Sequence, residues 1–204
     1  MKIDIIDIGL GNVSSIENWL TKSNISSRKV NRAEDLESNL LILPGVGSAR
    51  VYSERLKEKK FDIAIRKHID SGGRLIGICL GFQILFENLE EDGHVKGFGF
   101  FSGNAVAIKE NNDSNTGWGN FEFNKNQLSF NWKNQQYSKS RRKIIRGRVF
   151  YNHSFGVFSN DLKARKIPNY PDFISMISSD NIIGFQFHPE KSQITGKELI
   201  ELIY

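Results

Sequence analysis

Short apolar runs that stop at turn-forming residues recur along the chain: residues 3–8 before Gly9, Leu40–Leu43 before Pro44-Gly45, 75–78 before Cys79, and 182–187 before His188. Runs this short, bounded by such residues, predict strands buried on both faces. Between them apolar residues return every three or four positions, over Val13–Lys22, over 49–71 (read as two helices) and over 82–90. That is the spacing of a helix with one buried stripe. Strands alternating with such helices predict a parallel sheet covered on both faces, a doubly wound α/β fold. From 97 to 178 the rhythm changes to shorter candidate strands at 105–109, 149–152 and 173–177 among aromatic-rich turns, which predicts antiparallel strands at a sheet edge. No repeat or linker divides the chain, so one domain over 1–204 is expected.

Composition changes this picture little. With 204 residues, 39% hydrophobic and 25% charged, the chain can bury a sizeable core, although 109–143 is rich in Asn, Ser and Lys and reads as loop. The net charge of +5 has a local source, the cluster Lys139, Arg141, Arg142, Lys143, Arg146 and Arg148. A solvated loop, or a rim facing an acidic partner, accounts for it; nucleic-acid binding would want basic residues spread over a face among stacking aromatics, so no such binding is assigned. One Cys makes no intramolecular disulfide, and the four His lack metal-ligand spacing with it; no metal is expected, and a reducing cytoplasm fits. No apolar run approaches the ~18 residues of a membrane span, and acids interrupt the first run, so neither signal peptide nor membrane segment is expected.

The strongest local feature is Gly77-Ile78-Cys79-Leu80-Gly81, placed between a strand and a helix. A sharp strand-to-helix turn needs small neighbours because its backbone is strained; it lifts a nucleophile to the carboxyl edge of the sheet, where a helix N-terminus favours a thiolate. The plainer reading is a buried structural cysteine. A partner is available in Phe187-His188-Pro189-Glu190 at the end of another strand: His188 can take the thiol proton and return it to a leaving amine, and Glu190 can orient the imidazole. His68 and His94 each read as a surface or satisfied core histidine. Gly45-Val46-Gly47 places a flexible turn on the same edge, whose backbone N–H groups, with that of Leu80, could meet an oxyanion. Gly9-Leu10-Gly11-Asn12-Val13-Ser14 opens like a dinucleotide fingerprint, but Ser14 stands where the third glycine belongs and the acids Glu34 and Asp35 lie in a polar segment; nucleotide binding is a weak alternative.

Taken in order, Pro44-Gly45-Val46-Gly47, Gly77-Ile78-Cys79-Leu80-Gly81-Phe82-Gln83 and Gly184-Phe185-Gln186-Phe187-His188-Pro189-Glu190-Lys191-Ser192 resemble the class I (triad) glutamine amidotransferases over nearly the whole chain. Within that family the resemblance is to members in which the glutaminase is a separate subunit serving a (β/α)8-barrel cyclase in histidine biosynthesis. It implies a Rossmann-like (flavodoxin-like), mostly parallel sheet with helices on both faces. It implies a Cys79-His188-Glu190 triad that hydrolyses glutamine through a thioester, with no cofactor. Oxyanion donors would come from Val46, Gly47 and Leu80. Gly45, Gln83, Glu91 and the segment His153-Ser154-Phe155 would bind the substrate, and Asn12 and Lys191 would face the partner in a heterodimer.

The middle of the chain departs from the family pattern. Asn115-Thr116-Gly117-Trp118-Gly119-Asn120 stands where His-Met-Gly-Trp-Asn is usual, and Tyr151-Asn152-His153-Ser154-Phe155 replaces aromatic-Val-His-Ser-Tyr. The triad is untouched but the partner is left open: paralogues of this subunit feed ammonia to a sugar amidotransferase in surface-polysaccharide synthesis. A stand-alone cysteine hydrolase and a non-enzymatic nucleotide-binding module are the remaining alternatives.

Overall fold

A computed structural model describes residues 2–108, 115–128, 132, 144–159, 165–167 and 170–204. Its strands are β1 (Ile3–Ile6), β2 (Ser27–Val30), β3 (Leu40–Leu43), β4 (Arg74–Ile78), β5 (Asn88–Leu89), β6 (Val95–Lys96), β7 (Asn104–Ala107), β8 (Asn115–Asn124), β9 (Ile144–His153), β10 (Phe155–Phe158), β11 (Arg165–Ile167), β12 (Tyr170–Ser178) and β13 (Ile182–Phe185). Its α-helices are α1 (Val13–Lys22), α2 (Ala49–Glu58), α3 (Phe61–Asp70), α4 (Leu80–Gln83) and α5 (Gln193–Ile203).

Among the described residues the main sheet runs β2-β1-β3-β4-β13-β12-β10-β7-β5-β6, with β11 on β12. From β2 to β13 neighbouring strands are parallel; β12 turns antiparallel against β13, and β10 and β7 continue antiparallel. Consecutive side chains of the central strands alternate between two cores. Ile3, Ile5, Leu40, Ile42, Ile76 and Ile78 meet Val13, Ile16 and Leu20 of α1 and Leu199 and Leu202 of α5. On the other face Ile6, Leu41, Leu43 and Leu75 meet Tyr52 and Leu56 of α2 and Phe61 and Ile65 of α3. The period of two along each strand thus feeds one stripe per helix on either side.

A charged residue of β1 sits in this apolar centre. Asp4 is fully buried in β1, accepting from Arg28 Nε (2.7 Å), from Ser38 Oγ and from the backbone N–H groups of Glu37 and Ser38. Burial alone would raise its carboxyl pKa, but these donors together lower it from 3.8 to about 2.

The structure corrects several expectations. The helix expected over 82–90 is only the single turn α4, followed by β5. Leu80 through Phe86 are buried on every side, and the carbonyls of Ile84, Leu85 and Phe86 accept from the N–H groups of Phe98, Phe100 and Gly99, so tertiary partners replace helix continuation. Loop was expected across 109–143, yet Asn115–Asn124 is a ten-residue strand with Phe121 and Phe123 buried at alternate positions. It pairs antiparallel with β9 as a separate ribbon, which packs on α5 rather than extending the sheet edge. The remainder of that stretch lies largely outside the described residues, as do Lys109 and four of the basic cluster, Lys139, Arg141, Arg142 and Lys143; of the other two, Arg146 pairs with Glu122 across the ribbon (2.9 Å) and Arg148 stacks over Trp118 (5.9 Å). No expectation covered β2 or α5. No helix among the described residues is long and apolar enough to cross a membrane.

Candidate active site

The parallel strands deliver three chain turns to one edge. β4 ends at Cys79, β3 at the 45–47 turn and β13 runs into His188, because β4 lies between β3 and β13 in the sheet. Cys79 sits at φ +54°, ψ −110°, a backbone conformation that L-residues rarely adopt. The surrounding bonds hold it there: its N–H donates to Phe185 O (2.8 Å) and its carbonyl accepts from Phe82 N and Gln83 N at the start of α4. The close approach requires glycine. A Cβ on Gly45 would collide with the backbone N of Gly81 and come within 2.8 Å of the Leu80 carbonyl carbon.

Cys79 and His188 line one cavity of about 240 Å³ together with Val46, Gly47, Leu80, Gln83, Glu91, Asn152, His153, Ser154 and Phe155. Glu190 lies behind the imidazole, its Oε1 2.7 Å from His188 Nδ1, with side-chain exposures of 2% for His188 and 0% for Glu190. Burial would lower the His188 pKa, but hydrogen bonds and charge interaction with Cys79 and Glu190 overcome this and raise it to about 10. The imidazolium is therefore the form held next to Cys79 at neutral pH. Ser192 staples the segment, its Oγ donating to His188 O and accepting from Phe150 N, while His188 N donates to Phe150 O (2.8 Å).

The far wall is polar and directional. His153 Nδ1 faces Phe155 O (2.8 Å), an acceptor, so Nδ1 carries the proton and Nε2 accepts from Asn115 Nδ2 (3.1 Å). Burial, and less strongly the charge of His188, lower its pKa to about 4, so it stays neutral. Gln83 Nε2 donates to Phe155 O (2.7 Å) and Gln186 Oε1 (3.1 Å). Glu91 reaches the cavity from the turn after β5; its Oε2 accepts from Ala49 N, and burial raises its pKa.

Most of the residues anticipated from the sequence converge here. Gly45 packs beneath the turn outside the cavity lining, and Asn12 and Lys191 lie outside it too, Asn12 at the N-cap of α1 and Lys191 over the Phe150 ring at 5.9 Å. The Leu80 N–H donates to Gly45 O at 3.3 Å, so the turn's own carbonyl occupies this donor. Three participants escaped the sequence reading. Asn152 O lies 4.0 Å from the Cys79 sulfur, Tyr52 donates its hydroxyl to Pro44 O beneath the turn, and Asn115 supports His153. Asn115 and Asn152 were visible only as departures from a motif. Gly9-Leu10-Gly11 forms a turn in which Gly9 N–H donates to Asp7 Oδ1 (2.9 Å); His68 bonds Arg74 O (3.1 Å) and His94 is exposed, away from the cavity.

The family model described as glutamine amidotransferase class-I matches residues 4–203. Curated relatives include imidazole glycerol phosphate synthase subunit HisH of Bacillus velezensis, 32% identical over 97% of this chain and 93% of that one. Subunit HisH 2 of the same synthase from Methanococcus maripaludis is 37% identical, covering 98% and 96%. Among solved structures, one described as a glutamine amidotransferase superposes with TM-score 0.72 at 15% identity over 98% and 96% of the two chains. A chain of PurLQS from Thermotoga maritima gives 0.71 at 18% identity over 99% and 96%, and at such identities both report the fold. With this match over almost its whole length and relatives above 30% identity, the chain belongs to the class I glutamine amidotransferase family.

Proposed function

We propose that this chain is the glutaminase subunit of an imidazole glycerol phosphate synthase, hydrolysing glutamine to glutamate and ammonia at Cys79 and passing the ammonia to a (β/α)8-barrel cyclase in a cytoplasmic heterodimer. The observation that carries the reading is a strained cysteine facing an imidazole that is itself held by a buried carboxylate. Its near-full-length relatives are subunits of that synthase.

The chemistry follows from the geometry. The Cys79 thiolate attacks the glutamine side-chain carbonyl carbon, and negative charge develops on the carbonyl oxygen. Backbone N–H groups of Leu80, Val46 and Gly47, all in the cavity lining, are the donors this reading assigns to it. Because Gly45 O occupies the Leu80 N–H, the turn must rotate before the hole is complete, and docking of the partner is the event that rotates it. His188 gives its proton to the departing nitrogen, leaving a γ-glutamyl thioester on Cys79. It then takes a proton from water as that water attacks, releasing glutamate and restoring the thiolate–imidazolium pair. Gln83, Glu91 and the His153-Ser154-Phe155 segment hold the amino-acid end.

Ammonia at neutral pH is mostly protonated and unreactive, so it is made where it is consumed. A surface for that consumer is available: Val46 of the cavity lining and Trp118 are exposed, and Arg148, Trp118, Phe150 and Lys191 form a cation–aromatic ladder whose Phe150 is bonded through its carbonyl to His188 N. Purified chain mixed with the barrel cyclase of the same genome should release glutamate from glutamine, and Cys79→Ala should abolish release. Stimulation by a sugar amidotransferase instead of the cyclase would move the chain to the polysaccharide branch. Unchanged turnover in Cys79→Ala would defeat the glutaminase reading altogether.

A further inference from the structure

Gln186 is the most deeply buried polar residue beside the cavity, at 0% exposure, and it lies behind the lining rather than in it. Its Oε1 accepts from Gln83 Nε2 (3.1 Å), while its own Nε2 is buried without a hydrogen-bond partner. An orphaned buried donor is unfavourable, and an apolar side chain of similar volume would avoid it. The carboxamide therefore has a use that offsets this cost, and its orientation shows what that use is. Phe155 O can only accept, so the nitrogen of Gln83 must face it; the second N–H of that nitrogen then needs another acceptor, which Gln186 Oε1 supplies. With both N–H groups engaged, Oε1 is the polar atom Gln83 has left to offer the cavity it lines.

We propose that Gln186 is a positioning residue: by fixing the Gln83 amide with its oxygen toward the cavity, it makes Gln83 an obligate acceptor that selects the α-ammonium of the amino-acid substrate. Phe155 O reinforces this arrangement because it also accepts from His153 Nδ1, so the carbonyl is held from two sides and cannot swing away from Gln83. Were Gln186 unable to accept, the second N–H of Gln83 would lose its acceptor while the first stayed on Phe155 O, and the amide could tilt to offer that N–H to the substrate, repelling an ammonium and tolerating its absence. The inference rests on the glutaminase reading of the same cavity.

The test compares glutamine with its des-amino analogue, the monoamide of glutaric acid, in the chain assembled with its cyclase. In Gln186→Met, KM for glutamine should rise about tenfold, the equivalent of one hydrogen bond to a charged group, with kcat within about twofold. KM for the des-amino analogue should not move, so discrimination between the two substrates narrows by the same factor. Gln186→Glu, which keeps an oxygen facing Gln83, should restore much of the discrimination, whereas a merely structural role would shift both substrates alike. If Gln186→Met folds poorly, Gln83→Met serves instead: it too must narrow the discrimination, and an undiminished ratio there overturns the proposal. Equal effects on both substrates in Gln186→Met, or none, likewise overturn it. A wild-type complex that releases no glutamate at all would instead remove the underlying glutaminase reading.

Discussion

Replacing Glu190 with Gln removes a charge from the imidazole while leaving an oxygen to accept from Nδ1. The pair is 2.7 Å apart and both side chains are almost wholly shielded from water. Opposite charges whose centres lie ~4 Å apart interact by about 4 kcal/mol at an effective dielectric near 20, and the amide dipole of Gln recovers part of that, leaving a loss of about 2–3 kcal/mol. If that stabilisation is used on the imidazolium, kcat should fall by about 30- to 150-fold. The same loss should lower the His188 pKa by about two units. In the wild type that pKa is about 10, so the alkaline limb of the glutaminase pH profile should move by that amount toward neutrality in the variant. The linkage has a definite sign: a raised imidazole pKa contributes stability in full below pH 6.5 and loses it as pH rises through 10, so the variant should also melt closer to wild type at pH 10 than at pH 6. Steady-state glutamate release from pH 6 to 10 with the cyclase present, and thermal melts at both ends, provide the readout. Unchanged kcat together with an unmoved alkaline limb would refute the reasoning, because Glu190 would then be positioned without contributing charge.

Further outcomes follow from packing and charge. Gly45→Ala forces its methyl into the Leu80–Gly81 backbone and should cost at least tenfold in glutaminase kcat, about 1.4 kcal/mol, with the far-ultraviolet dichroism spectrum intact. Gly196→Ala, in α5, drives a methyl into Pro189 O and should shift the His188–Glu190 segment, lowering activity although the residue lies outside the cavity; wild-type kcat in this variant would mean that the segment is not set by α5. For Asp4, lowered from 3.8 to about 2, the depressed pKa contributes about 2 kcal/mol that is present above pH 3.8 and lost as pH falls through 2, so Asp4→Asn should destabilise by about that amount in urea at pH 7 and by much less near pH 2.

Much of the site was legible because chemistry and local geometry coincide in short motifs. The glycines around Cys79 announce a strained turn whatever surrounds them, and a histidine and a glutamate two residues apart at a strand end form a hydrogen-bonded pair through local chain geometry alone. The central strands were legible for a similar reason: continuous apolar runs have no stable place except between two layers. Where the reading failed, the deciding partners lay far away in sequence. The 84–86 carbonyls meet the 98–101 loop instead of prolonging a helix, and a polar segment, Asn115–Asn124, becomes a strand because β9 supplies its ladder.

What the amino-acid sequence determined by itself was the candidate nucleophile, the histidine proposed as its base, the turn beside them and the alternation that builds a parallel sheet. What only the tertiary structure decided was orientation: which hydrogen of Gln83 meets which carbonyl, which nitrogen of His153 carries the proton, and whether the Leu80 N–H is free or occupied by Gly45 O. Motifs record residue types in sequence, whereas a hydrogen bond joins atoms whose chain separation can be large. Gln83 and Gln186 are 103 residues apart, and only the placement of β4 beside β13 brings them together.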